Sequence, residues 1–398
     1  MNTHDGFPNS RPWLIAVPTA ILVLLGIIWS GFWYWSTSAA ETTMTAWRAR
    51  EAEAGRIYTC ATTAFGGYPF RIEVNCAEPS VDDRRTALSI RAHDLTAVAQ
   101  VWDPTLVIGE ITPPLTVGPL GGAPASTMDW TLAQASLRGM PGAPERLSIV
   151  VDNPRLAAAP SGGPLAAAEH TEFHGRFAAG STPGHPALDL AFDARKATAP
   201  ALAAAMGTFA PLATAGTDLS VVAILHGVSD VGLKPVEQQL REIQAADGRL
   251  DITSARLQQG DLIVDATGAL GLTPRGTLSG DVKLTVVNLA RLIPLLGIDR
   301  MVAQAVPQEA ISRYAPALDK LLPGLGGVLK SRDNAGGASP GSVSGGAGSG
   351  LSAAAGATML GGQQTDLDGQ RAVTLTLHFN DGVAFLGPLK VGQVPPLF

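Results

Sequence analysis

The run from Trp13 to Trp35, WLIAVPTAILVLLGIIWSGFWYW, carries no charged residue and constrains everything that follows it. At about 1.5 Å per residue it makes a helix roughly 33 Å long, and about 20 apolar residues suffice to cross a hydrocarbon core. Pro18 lies near one end, where membrane helices accommodate it. Trp29, Trp33, Tyr34 and Trp35 gather at the other end, as rings do at the headgroup level. The rival reading is a cleaved signal peptide, for which Ser38 and Ala40 are small enough to flank a cleavage site. Signal-peptide apolar cores are shorter, about 7–15 residues, and lack a terminal tryptophan cluster. The run therefore predicts a retained transmembrane anchor over 13–35, with 1–12 as a cytoplasmic N-terminus.

Local charge does not orient this anchor. Arg11 precedes it and Arg48, Arg50 and Arg56 follow, which opposes the positive-inside rule. Long following domains, however, translocate largely regardless of charge. The two cysteines, Cys60 and Cys76, decide the side. Gly66-Gly67 marks a turn between them, flanked by alternation at Tyr58, Cys60 and Thr62 and at Phe70, Ile72, Val74 and Cys76. Folding back at the glycines brings the cysteines onto neighbouring strands. A disulfide there closes a loop of about 15 residues, nominally worth ~3 kcal/mol. Such bonds persist in the periplasm or outside the cell; two unpaired buried thiols would be the cytosolic alternative. The expectation is a single-pass inner-membrane protein with the bulk of its chain in the periplasm.

The string GGYPFRIEVNC, Gly66–Cys76, lies soon after the anchor, and LHFNDGVAFLGPLKVGQVPPLF closes the chain at Leu377–Phe398. In both strings the chain resembles the proteobacterial domain-of-unknown-function family 2125, whose members look like inner-membrane-anchored periplasmic proteins. The resemblance makes Gly66, Gly67, Tyr68, Pro69, Phe70 and Arg71 a signature hairpin and carries no activity with it. More distantly, an anchor followed by Gly-punctuated amphipathic strands is similar in texture to the AsmA-like envelope proteins.

Along the body, short alternating runs separated by Gly, Pro or Asp predict strands at 86–100, 105–111, 115–117, 127–137, 147–152, 169–177, 187–192, 218–225, 248–257, 261–270 and 277–287. Residues 40–54 predict a short stalk helix, 200–211 another helix, and 235–246 the clearest amphipathic one, opened by Pro235. Residues 289–297 and 299–329 also read as helical. Ser331–Gln364 is rich in Gly, Ser and Ala and predicts a disordered linker spanning roughly 32 Å. After it, Val373, Leu375, Leu377 and Phe379 alternate, Asp381-Gly382 turns the chain, and Val383–Leu386 returns. A lone hairpin is not stable, so residues 365–398 are expected to add to the earlier sheet. The fold class is α+β: predominantly antiparallel β in an elongated curved sheet or sheets, with short helices, the body running over 40–330.

Chemistry is sparse. Charged residues make up 16% of the chain and the net charge is −6, which leaves no basic field for nucleic acid. His170, Glu172 and His174 alternate, so on a strand they share one face and form a weak metal candidate; a solvated face is the plainer reading. Gly346, Gly348 and Gly350 mimic a phosphate loop without the preceding strand that such a loop needs. Asp189 and Asp193, at i and i+4, read as an exposed strand edge, and Glu110 and Asp129 have no visible partner in the sequence. Arg71 is expected to pair a carboxylate and lock the hairpin, or else to face a lipid phosphate. No catalytic residue and no cofactor is predicted. The reading is a non-enzymatic membrane-anchored envelope protein. Its partners would be the membrane, through the helix, and a phospholipid or other apolar ligand. The alternative is an assembly scaffold without lipid, using an envelope protein partner and the terminal VPPLF as a docking segment.

Overall fold

The computed structural model describes residues 13–140, 142, 144–182, 185–206, 210–228, 234–289, 291, 362–387 and 389–398. The chain is mostly antiparallel β-strand, with a few short helices and one long apolar helix at the N-terminus. Its residues divide into two compact units, Met1–Pro124 with Gln134–Pro144, and Ala125–Ala133 with Glu145–Phe398. Residues 1–12, expected to be cytoplasmic, the glycines at 346–350, the helical reading of 299–329 and nearly all of 289–297 and of the linker lie outside the described residues.

In the first unit, α1 runs unbroken from Trp13–Glu53. The sequence predicts two helices there, an anchor ending at Trp35 and a separate stalk. The structure joins them because no Gly or Pro falls between Ser36 and Glu53. The hydroxyls of Thr37, Thr42 and Thr45 donate back to the carbonyls of Trp33, Ser38 and Glu41, which occupies polar groups that would otherwise compete with the helix.

After α1 the chain weaves two antiparallel ladders. One has the order β1 (Arg56–Thr59), β4 (Ser80–Asp83), β5 (Leu88–Arg91) and β8 (Leu115–Pro119). The other has β2 (Thr62–Gly66), β3 (Arg71–Ala77), β6 (Asp94–Gln100), β7 (Asp103–Thr112) and β10 (Leu132–Arg138), of which residues from Gln134 belong to this unit. The strands predicted through Tyr58–Thr62 and 86–100 are therefore each two strands. The breaks fall at Cys60-Ala61, Glu78-Pro79, Ala92-His93 and Pro113-Pro114, and there the chain changes ladder. Backbone bonds tie the breaks side by side: the amide of Ala61 donates to Ala77, that of Glu78 to His93, and that of His93 to Thr112. The alternation of Tyr58, Cys60 and Thr62 runs straight through the first of these breaks, so periodicity does not reveal it.

In the second unit a small ladder joins β9 (Ser126–Asp129), β12 (Arg155–Ala158) and β13 (Pro164–Ala167). The predicted strand 127–137 thus also splits, at Trp130-Thr131. Half the residues of β12 and β13 are alanine, and no alternation announces them. The larger ladder begins β11 (Arg146–Asp152), β14 (His170–Thr182), β15 (His185–Ala197), β16 (Thr217–Leu225), β17 (Arg249–Gln259), β18 (Leu262–Leu272) and β19 (Leu278–Val287). Helices α2 (Pro200–Met206), α3 (Ala210–Thr214) and α4 (Val236–Ala245) interrupt the strand sequence near the predicted places. β20 (Gln363–Leu367) takes the last two residues assigned to the linker and pairs with β21 (Gln370–Asn380).

β21 in turn pairs with β19 from Gly280↔Phe379 to Val287↔Ala372, so the C-terminal hairpin does complete the sheet. β22 (Val383–Leu386) and β23 (Leu389–Gln393) finish it. The best-buried core lies here: Leu262, Val286, Leu289, Val373, Leu375 and Leu386, with Leu212 of α3 packed against them. The final VPPLF lies against neighbouring residues of the same unit. The Leu397 amide donates to Gly276, and the Phe398 ring lies 4.8 Å from the Arg241 guanidinium.

Candidate membrane-proximal site and apolar sheet face

The signature hairpin is built at the β2–β3 turn. Gly67 has φ +95°, and a Cβ there would sit 2.6 Å from the Arg71 carbonyl oxygen, so only glycine closes this turn. The register runs Thr62↔Ala77 to Gly66↔Glu73, and Cys60, just outside β2, forms a disulfide with Cys76 across a Cα separation of 5.4 Å. The predicted pairing is present. Arg48 of α1 donates to the Cys60 Sγ at 3.2 Å, so the bond also lies against the helix.

The turn itself is fastened to the aromatic end of α1. The Trp29 indole N–H donates to the Pro69 carbonyl at 2.8 Å, and the Trp33 indole N–H to the Arg71 carbonyl at 2.8 Å. Ser30 Oγ donates to Gly26, which leaves the Tyr68 hydroxyl as donor to Ser30 Oγ at 2.9 Å. Trp33 and Tyr68 meet edge to face with centroids 5.4 Å apart, Trp29 and Phe70 at 6.2 Å, and Phe70 and Trp102 at 6.4 Å. Trp102 sits in the β6–β7 turn, whose Val101 amide donates to the Phe70 carbonyl. Tyr68, Phe70 and Trp102 stay 59%, 60% and 59% exposed. Arg71 pairs at 3.2 Å with Glu73, two residues further along the same strand, so the pair does not bridge the hairpin, and most of the Arg71 side chain faces outward. Higher up, Trp47 of α1 packs on Tyr58 at 4.6 Å, and Glu51 pairs with Arg56 at 2.5 Å. Sequence reasoning found the hairpin but not Trp29, Trp33 and Trp102 as its partners, since nothing local links residues so far apart.

The second unit carries a different feature, an apolar face read directly from register. One row across the ladder is Ile149, Phe173, Phe192, Val221, Ala255, Ala266, Leu284 and Leu375. Cross-strand partners share a face, so the whole row points one way. The row beside it, through Leu147, Leu190, Ala223, Ile252, Val282 and Leu377, is equally apolar. At the β19–β21 end this face is closed: Val286 is fully buried and Leu375 is 2% exposed. Toward β11–β16, Ile149, Phe173, Leu190, Phe192 and Val221 are only half-buried.

The opposite face holds the His170, Glu172 and His174 trio. It is an internal hydrogen-bond chain: His170 Nδ1 meets Asp152 at 2.5 Å, His170 Nε2 meets Glu172 at 2.7 Å, and His174 Nε2 meets the other Glu172 oxygen at 3.3 Å. The Asp152 and Glu172 carboxylates together hold the His170 imidazole above its ordinary pKa, and the two imidazoles lower that of Glu172. His170 and Glu172 border an open depression of about 310 Å³ shared with Asp193, Asp218, Arg195 and Arg256. Lys196 pairs Asp218 at 2.8 Å, and Arg256 pairs Asp368 at 2.6 Å. Both His170 nitrogens are engaged, and no group of three His, Cys, Asp or Glu among the described residues is arranged to hold a metal. Asp189 pairs Arg176 at 2.6 Å, and Glu110 accepts from Gln134. Asp129 lies opposite Arg155 in the β9–β12 register.

The family model described as an uncharacterized protein conserved in bacteria (DUF2125) matches residues 33–395. The chain belongs to this family. The match takes in the signature hairpin, the disulfide, both ladders and the C-terminal strands, and begins at Trp33, where α1 meets the hairpin. No curated protein and no solved structure matches the chain.

Proposed function

We propose that this family member is a non-enzymatic protein held in the inner membrane by α1, with its body in the periplasm, where the apolar face of the second unit takes up lipid acyl chains. α1 is long and apolar enough to span a bilayer, and its first half is unburied by the rest of the chain. The disulfide suits an oxidising compartment. The observation that carries the lipid reading is the row Ile149–Phe173–Phe192–Val221, apolar without interruption and only half-buried, backed by a polar opposite face. An anchor followed by amphipathic sheet is also the pattern of AsmA-like envelope proteins.

Native mass spectrometry of the full chain in detergent tests this reading, comparing wild type with Phe173→Asp/Phe192→Asp. The anchor is the same in both, so lipid held by α1 cancels. The reading requires phospholipid adducts on wild type that the variant loses. Equal adducts on two equally folded proteins would remove lipid from the function and leave the assembly-scaffold reading.

A further inference from the structure

The position of the signature hairpin along α1 has a consequence for where the first unit touches the bilayer. Taking Trp13 as one boundary of the span, Trp29 lies about 24 Å further along the helix and Trp33 about 30 Å. A hydrocarbon core is about 30 Å thick. The hairpin bonds to Trp29, Ser30 and Trp33, so it is fastened to the last turn of the span rather than to the part of α1 beyond it.

We propose that the loop Tyr68–Arg71, with Trp102 of the neighbouring turn, inserts into the interfacial layer of the bilayer that α1 crosses, and forms a second membrane contact that orients the first unit. This rests on the reading of α1 as a retained anchor. Phe70 and Trp102 are large rings, well exposed and in contact with each other, continuous through Trp29 with the helix's own belt. Aromatic rings are favoured at the headgroup boundary, where an apolar body and a polar edge are both accommodated. Tyr68 supplies a hydroxyl at that depth, and the outward Arg71 guanidinium matches a phosphate in charge and geometry. The partner is a phospholipid surface: any other protein seated on Phe70 would itself have to lie in the bilayer interface.

The test is site-directed spin labelling of the full chain in phosphatidylcholine/phosphatidylglycerol vesicles. The native cysteines are tied in a disulfide, so a thiol-specific nitroxide reads only an engineered cysteine. Labels go singly at Phe70→Cys and Trp102→Cys, two exposed positions that serve as independent reporters. Leu25→Cys in α1 reports the hydrocarbon. Arg85→Cys reports water, since its turn lies beside Gly55 at the far end of α1. The expected result is a several-fold higher ratio of oxygen to nickel-chelate accessibility at positions 25, 70 and 102 than at 85. Position 25 in lipid with 70 and 102 matching 85 would overturn the second contact and leave the anchor standing. Position 25 matching 85 would overturn the anchor, and this proposal with it.

Discussion

Removing the Cys60–Cys76 cross-link should destabilise the first unit by about 3 kcal/mol. The bond closes a sequence separation of 16 residues. Loop-closure entropy for that length is roughly 10 cal/mol/K, which gives ~3 kcal/mol at room temperature. Cys76 is buried at 5% exposure, so a Cys60→Ala/Cys76→Ala variant adds a packing loss of about 1 kcal/mol. Reduced wild type keeps both sulfur atoms and isolates the cross-link. The assay is urea unfolding of the full chain in detergent, followed by tryptophan fluorescence, since Trp29, Trp33, Trp47 and Trp102 all lie in this unit. At an unchanged slope, the loss appears as a lower midpoint. The expected order of stability is oxidised wild type, then reduced wild type, then the double alanine variant. A reduced protein within about 1 kcal/mol of the oxidised one would refute the argument, because it would mean that the unfolded chain is already constrained there.

Other changes have equally definite outcomes. Gly67→Ala should cost at least about 1–2 kcal/mol in the same unfolding assay, from the left-handed backbone and the approach to the Arg71 carbonyl; no shift in midpoint would contradict that turn geometry. Leu375→Ala, at the centre of the second unit's core, should cost about 2–5 kcal/mol by thermal or urea unfolding, and a cost well under that would mean the core is not packed there. His170→Gln should matter most on the acid side of neutrality. A raised histidine pKa stabilises the folded state below the unfolded value and loses that contribution as pH rises through the folded one, whereas the lowered Glu172 keeps its contribution until pH falls through its own folded value. Melting temperatures of wild type and variant should therefore differ near pH 6 and converge in mild alkali; a gap that widens with pH would reverse the assignment.

The parts legible in the sequence were those governed by local chemistry. Hydropathy alone marks α1 as far as Trp35, two cysteines around a Gly-Gly turn mark the hairpin, and strict alternation from Val373 to Phe379 marks the strand that closes the sheet. What escaped is what needs long-range information. The ladder switch at Trp130-Thr131 leaves the alternation of Met128, Trp130 and Leu132 intact, so periodicity does not mark it. The apolar rows of the second unit emerge only once register pairs Phe173 with Phe192 and Phe192 with Val221. His170 and Glu172 share a face, as their spacing predicts, but Asp152, which completes their chain from the adjacent strand, has no signal of its own in the sequence.

The central claim is that lipid occupies the apolar face of the second unit, and photo-crosslinking in native membranes tests it most directly. A benzophenone amino acid at Phe192 reports that face, and one at Val222, 40% exposed on the opposite face, serves as its control. Irradiation of cells carrying radiolabelled phosphate should attach label to the protein from position 192 and not from 222. Label from both positions alike, or from neither, would contradict the account.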